Sequence, residues 1–422
     1  MLKSFSVCRY RNLNIDELQL KRINVLIGPN NSGKSNLIDA LSFLSSLILS
    51  KEIDGTSSIF LRELLKRGWD DVLDRRETKP NEVKMSWVIE GVNELPELKY
   101  ELNFHVPVTS KPPEGYNISL EKLSNTKPIE SKDRPYEYFQ CHNEQLGLGW
   151  FSGKARGNKQ TKRVRIQVNC QETIFNQMDT LLDHEEFRIS TYPVFKSALE
   201  TVRKFFQGFY AYSSTEINLK KVRQPVGVQL SLKYLSKDAD NYVNVLRFIE
   251  EKHEGFLVQY TKIIQEIIPN LSQMRIINME DNKSFLQLQI SKQWYHLSEM
   301  SDGTIKGMII ALLLWSPERM TLLSLDEPEL NLHPAWLRVI SNWIIRSNMP
   351  KQIFVSTHSP DLLDGLTDLF MEDKLNLYAF NLDEDQTLKL VSPETVRSLY
   401  EQGWQLGDMY RVGQPELGAW PW

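Results

Sequence analysis

A chain of 422 residues, 41% hydrophobic and 25% charged, has the make-up of a globular protein with apolar material for more than one substructure. Its net charge of -4 excludes a basic nucleic-acid coat, so any nucleic-acid contact falls to a local patch. No apolar run approaches the roughly 20 residues of a membrane span, and "MLKSFSVCRYRNL" lacks a secretory apolar block; the expected location is the cytoplasm.

"KSFSVCRYRNL" and "ELQLKRINVLIG" read as two strands rich in β-formers. The second runs straight into "GPNNSGKSN", Gly28 to Asn36, after which a helix is expected from near Gly33 to about Ser50. Gly28, four residues, then Gly33-Lys34-Ser35 match GxxxxGK[ST] in the strand-loop-helix setting that motif requires. The glycines let the N–H groups of Asn30, Asn31, Ser32 and Gly33 close on phosphate oxygens at a helix N-terminus. Lys34 brings a positive charge to the outer phosphates, and the Ser35 hydroxyl can hold Mg²⁺. A structural glycine turn has no need of the Lys-Ser pair.

"NEVKMSWVIEG" and "ELKYELNFHV" alternate apolar and polar residues as antiparallel strands do, carrying a first lobe to residue 106. From "PVTSKPPEGYN" to about Val168 the pattern decays into Pro, Gly, Lys and Asn, which reads as loops or an insertion rather than core. Within it Lys154, Arg156, Lys159, Lys162, Arg163 and Arg165 follow one another with no acid between; such a run binds DNA or RNA by counterion release or is simply a solvated loop. Cys8, Cys141 and Cys170 are odd in number and widely spaced; even with His142 and His184 they match no usual zinc pattern and read as thiols in a reducing compartment.

Helical spacing returns over Thr180–Phe209 and Asp238–Ile268, the latter ended by Pro269. "SFLQLQISKQWYHLS" alternates like strands, and "LSEMSDGTIKGMIIALLLW" opens an apolar helix at Ser301-Asp302-Gly303, which serves equally as an anion cradle or as a plain N-cap. "TLLSL" and "QIFVS" are strongly apolar, the mark of a buried, largely parallel sheet. Asp326 and Glu327 end the first of them, where a carboxylate pair is costly unless it meets a cation or does chemistry. Asp326 is expected to hold the magnesium through water and Glu327 to polarise an attacking water. His358, at the end of the second strand, is expected to contact the γ-phosphate.

In this order the four motifs, over roughly residues 1–50 and 295–400, resemble the ABC-type ATPase heads of the RecF, SMC and OLD superfamily, and most closely AAA_21-like ATPases. The resemblance implies an α/β P-loop NTPase head, with mixed and parallel sheets, flanking helices and a helical or inserted middle segment. The implied domains are an N-terminal lobe over 1–106, an insertion and helical arm over 107–294, and a C-terminal lobe over 295–422. It implies ATP and Mg²⁺ as ligands, with Ser301, Asp302 and Gly303 as the signature motif touching ATP held by a second copy. Glu329 to His333 would lie in the loop crossing that homodimer interface. Arg11 and Asn36 stand where related heads contact nucleotide.

"DEPELNLHP" resembles chromosome-maintenance and defence ATPases more than transporter subunits, and the middle segment is too short for an SMC coiled coil. Fewer than 70 residues follow His358, and Asp383, Glu384 and Asp385 in "NLDEDQ" read as a turn tip rather than a metal site, so a nuclease or toxin effector is expected to be a separate partner. Trp420 and Trp422 suit a partner anchor or packing on the chain's own body. The implied function is an ATP-hydrolysing switch, in a homodimer or higher homo-oligomer, controlling DNA engagement or an effector in bacterial anti-phage defence or DNA maintenance. A scaffold with little turnover is the alternative.

Overall fold

The computed structural model describes residues 1–50, 58–68, 71–73, 81–92, 95–106, 116–128, 134–142, 147–154, 161–229, 231–380 and 388–418, with the side chains of 153, 154, 161 and 162 outside that description. In chain order the elements are β1 (Leu2–Tyr10), β2 (Leu13–Gln19), β3 (Ile23–Ile27), α1 (Lys34–Leu49), α2 (Ile59–Lys66), β4 (Glu82–Ile89), β5 (Leu98–His105), β6 (Asn117–Pro128), β7 (Pro135–His142), β8 (Leu148–Lys154) and β9 (Thr161–Gln167). There follow α3 (Met178–Asp183), α4 (Tyr192–Gln207), β10 (Phe209–Ser213), α5 (Leu219–Val222), β11 (Val226–Gly227), α6 (Tyr242–Lys252), α7 (Phe256–Ile264), β12 (Leu271–Asn278), β13 (Lys283–Ile290), β14 (Gln293–His296) and α8 (Asp302–Trp315). The last group is β15 (Leu322–Asp326), α9 (Pro334–Arg346), β16 (Ile353–Ser356), α10 (Pro360–Asp364), α11 (Thr367–Met371), β17 (Leu375–Ala379), β18 (Lys389–Val391), α12 (Pro393–Glu401) and α13 (Leu406–Arg411).

Contacts divide the chain into two compact units, one with Met1–Lys21 and Ser35–Phe209, the other with Arg22–Lys34, Tyr210–Leu382 and the chain from Leu388 onward. The first holds an antiparallel sheet in the order β2-β1-β4-β5-β6-β7-β8-β9. Strict alternation along β5 buries every second side chain, and α1 and α4 cover the apolar face: Trp87 Nε1 donates to Leu41 O at 3.3 Å, and Ser45 Oγ donates to Phe206 O at 2.7 Å. Aromatic rings fill the space between, with Phe43 stacked on Phe104 at 5.5 Å and Phe151 edge-on to Phe187 at 5.1 Å.

The stretch after residue 106, read from sequence as loop or insertion, carries four strands of this sheet in its described part. The physical reason is a broken alternation: Leu123, Phe139, Phe151 and Val164 point inward, but Glu121, Ser124, Asn125 and Ser152 are buried as well, and register shifts where β6 pairs with β5 and β7 interrupt the period of two by which a strand is recognised. Arg163 and Arg165 project exposed from the edge strand β9, where Arg163 pairs with Glu137 at 2.9 Å and Arg165 lies 5.0 Å from the Trp150 ring centroid. Arg156 and Lys159 of the same basic run lie outside the described residues, as do Asp383, Glu384, Asp385, Trp420 and Trp422.

Glu121 is an unexpected feature of this core, 2% exposed, accepting from the Tyr100 hydroxyl and from Ile174 N at 3.0 Å. Burial pushes its carboxyl up to about 7. Between about pH 4.5 and pH 7 the fold keeps a proton that the unfolded chain has lost, so stability falls as pH rises through that window, by about 3 kcal/mol in all. Glu121→Gln is expected to flatten most of this fall in urea unfolding followed by tryptophan fluorescence at pH 5 and pH 7.5. An unchanged pH dependence in the variant would remove Glu121 as its source.

The second unit is built on a six-stranded sheet ordered β10-β15-β16-β3-β17-β18, in which β15, β16, β3 and β17 run parallel and β18 is antiparallel. Its apolar strands are buried on both faces, and α8 is buried on all sides from Gly303 to Leu314. "ELQLKRINVLIG", read as one strand, is split between the two units. β2 alternates on the antiparallel sheet, β3 is continuously buried in the parallel one, and the break falls at Leu20-Lys21-Arg22. Arg22 fixes the new direction by donating to the carbonyls of Ser347 and Ile345 at the C-terminus of α9, at 2.8 and 2.7 Å. A smaller sheet, β11-β13-β12 with β14 on β13, precedes α8. Among the described residues no helix is long and apolar enough to cross a membrane.

Candidate functional site

Parallel pairing decides where the motifs meet. Leu26 of β3 is in register with Ser356 of β16, which is in register with Asp326 of β15, so three strands leave the sheet along one edge and their loops converge there. Backbone bonds fix the exits: Glu327 N donates to Ser356 O at 3.0 Å, Thr357 N to Leu26 O at 3.0 Å, and Phe380 N to Ile27 O at 2.8 Å.

The loop after β3 needs its glycines. Gly28 has φ 137° and a Cβ there would stand 2.6 Å from the Phe380 carbonyl oxygen; Gly33 has φ 114°, and Asn31 adopts φ 62°. Gly28, Ser32, Gly33 and Lys34 are buried, whereas Asn30 and Asn31 are exposed. Lys34 Nζ donates to the carbonyls of Gly28 and Pro29 at 2.9 and 2.8 Å. Burial pushes its pKa down to about 8, against the opposing pull of Glu327, Asp326 and Glu329. The ammonium is therefore held among three carboxylates and remains under-compensated.

Asp326 accepts from the Ser356 hydroxyl, whose oxygen in turn lies 3.2 Å from the donating Glu327 N. Glu327 sits at φ 49°, a left-handed conformation uncommon outside glycine and asparagine. Its Oε1 lies 3.5 Å from His358 Nε2, a buried nitrogen with no hydrogen-bond partner among the described residues. Burial, aided by Lys34, pushes His358 down to about 4, so near neutral pH its imidazole is uncharged and its approach to Glu327 is not an ion pair.

Glu329, which the sequence placed only in an interface loop, turns its side chain onto the exit of β16. Its Oε1 accepts from Thr357 Oγ1 at 2.8 Å and from His358 N at 2.6 Å, and burial raises its pKa. Glu329, Ser356 and Thr357 thus brace Asp326 and His358, a role sequence reasoning missed. The available signal was the polar run Ser356-Thr357-His358 after an apolar strand.

Ser301, Asp302 and Gly303 are drawn toward other partners in the same unit. Ser301 Oγ accepts from Thr304 N at 3.1 Å as the N-cap of α8, and Asp302 pairs with Arg223 at 2.6 Å. Gly303 leaves room for the Asn331 carbonyl, which a Cβ would meet at 2.6 Å, and Lys306 Nζ donates to Leu330 O at 3.3 Å. The start of α8 is thereby locked to the loop that follows Glu327.

Within the first unit, Arg11 Nη1 donates to Asn36 Oδ1 at 2.8 Å and Arg11 pairs with Asp39 at 3.2 Å, while Asn36 Nδ2 donates to Asn12 Oδ1 at 2.7 Å. Asp39 also accepts from Tyr10 and Arg67, so Arg11 is one member of a polar network on α1. Ser35 is exposed on the first turn of that helix.

These residues suit a polyphosphate and a hard cation. A buried ammonium calls for anionic oxygen, His358 Nε2, without a hydrogen-bond partner among the described residues, can meet an acceptor or donor, and hydroxyl and carboxylate oxygens are the ligands Mg²⁺ prefers.

The model of the AAA ATPase domain matches residues 1–363. The Old nuclease of Escherichia phage P2 is 22% identical over 383 residues, covering 86% of this chain; the chain spans 57% of that relative's length. Among solved structures, an SMC head bound to the C-terminal winged-helix domain of ScpA aligns over 94% of this chain and 99% of its own at 10% identity, with a TM-score of 0.50. The SMC head domain from Thermotoga maritima aligns over 93% and 99% at 12% identity, with a TM-score of 0.42.

Proposed function

Since the chain belongs to the AAA ATPase domain family, as an ABC/SMC-like ATPase of the RecF, SMC and OLD superfamily, we propose that it is an ATP-hydrolysing switch that closes a head-to-head homodimer around ATP and so controls DNA engagement or a separate effector. The observation that carries this reading is the convergence of Lys34, Asp326, Glu327 and His358 at one edge of the parallel sheet. In it Gly28, Asn30, Asn31, Ser32, Gly33 and Asn36 enclose the phosphates, and Arg11 is assigned the same role. Lys34 balances the outer phosphate charge, and neutral His358 hydrogen-bonds the γ-phosphate. Glu327 orients the attacking water and receives its proton. Ser35 and Asp326 would hold a magnesium ion, Asp326 through water, and the ion would supply charge neutralisation for the phosphates.

Ser301, Asp302 and Gly303 face the γ-phosphate carried by the second copy. The exposed Arg163 and Arg165 on β9 support a DNA contact. Anti-phage defence is the setting proposed for this switch, with a separate nuclease or toxin as its effector.

Phosphate binding returns Lys34 to full charge, so ATP binding is expected to take up about half a proton per site at pH 8 and about a tenth at pH 7, given a pKa of about 8 in the ligand-free protein. Calorimetric titration with ATP in buffers of different ionisation enthalpy measures this directly. ATP binding without that rise in uptake would place the phosphates away from Lys34, and an absence of binding would sink the reading.

A further inference from the structure

In the second unit a cavity of about 130 Å³ lies between the β13–β14 hairpin and the segment joining α5 to β11. Its depth is apolar: Val222, Val243, Leu286 and Leu297 are each at most 3% exposed. Phe285 and His296, stacked at 4.8 Å and 24°, offer a flat wall. Arg223 also lines the cavity, and it is the residue that holds the start of α8, since Nη2 donates to Met300 O at 2.9 Å and to Asp302 Oδ1 at 2.6 Å. An apolar void inside a packed protein costs contacts, and one that opens beside a guanidinium has the chemistry of a ligand site rather than of a packing fault.

We propose that this cavity binds a small amphipathic carboxylate, whose apolar body fills the pocket and whose carboxylate takes Arg223 from Asp302. The guanidinium fork matches a carboxylate, while Asp302 and Glu299 beside the rim disfavour a phosphate dianion. Asp302 is 52% exposed and loses little on release, so the ligand and the α8 N-terminus compete for one cation. Any effect on nucleotide turnover, through Ser301 next to Asp302, rests on the function proposed above; binding itself does not.

The test titrates phenylacetate, with neutral phenylacetamide as control, against the whole protein by ligand-observed NMR without nucleotide. Phenylacetate is expected to saturate in the millimolar range or below and to bind at least about tenfold tighter than the amide. Arg223→Gln is expected to erase that preference, and Met279→Trp, at the exposed rim, to abolish binding. Asp302→Asn is expected to tighten phenylacetate about three- to tenfold, because it removes the competitor and a like charge. Equal binding of acid and amide, no saturation by about 10 mM, or an affinity indifferent to Asp302→Asn overturns the proposal. Both Asp302 and Met279 are exposed, so these two variants keep the test decisive should Arg223→Gln fold poorly.

Discussion

Glu327→Gln is expected to lower Mg²⁺-dependent ATP turnover by about 100- to 1000-fold while changing ATP affinity less than about threefold. The carboxylate stands at the sheet edge with its backbone at φ 49° and its Oε1 3.5 Å from a neutral imidazole, a position from which it can accept a proton but contributes little to ground-state binding. The amide keeps the shape and loses the acceptor. The variant should therefore accumulate as an ATP-bound dimer, read by sedimentation with and without ATP. Wild-type turnover that rises with duplex DNA, and a rise lost in the variant, would tie the cycle to DNA. Negligible turnover in both proteins despite tight ATP binding would instead favour a nucleotide-dependent scaffold.

Mixing two inactive variants should restore activity. Ser301→Arg places a bulky cation at the N-terminus of α8, where the proposed dimer brings the other copy's γ-phosphate, and is expected to abolish turnover while leaving ATP binding intact. In a mixed dimer with Glu327→Gln, one composite site has both its own Glu327 and its partner copy's Ser301. Random pairing gives half mixed dimers, each with one of two sites intact, so about a quarter of wild-type turnover is expected. Ser301 also caps α8, and loss of the cap costs about 1 kcal/mol. Ser301→Ala carries that same loss without the cation, which separates destabilisation from a blocked interface. If the mixture stays inactive although both variants bind ATP, each copy works alone and the shared-site model fails.

The glycine-rich loop, the carboxylate pair and the strand-end histidine were legible from residue types alone, because their chemistry depends on local order: glycine before a helix start, acids after an apolar strand. The α/β class was legible for the same reason, since β3, β15 and β16 are predominantly apolar and parallel strands must be buried on both faces. The four strands from Asn117 to Gln167 were not, because buried polar residues such as Glu121, Ser124 and Asn125 and register shifts in β6 interrupt the alternation that made β4 and β5 legible. Nor could the sequence reveal that "ELQLKRINVLIG" divides between two sheets. That break is made by Arg22 meeting carbonyls of α9 more than 300 residues later. The bracing of His358 by Glu329, the neutrality of that imidazole, the depressed Lys34 and the protonated character of Glu121 all arise from burial and from neighbours distant in sequence. The sequence by itself determined which chemical groups the protein owns and which strands end in them. Only the tertiary structure decided which groups share a low-dielectric environment, because desolvation and through-space charge depend on packing and not on order along the chain.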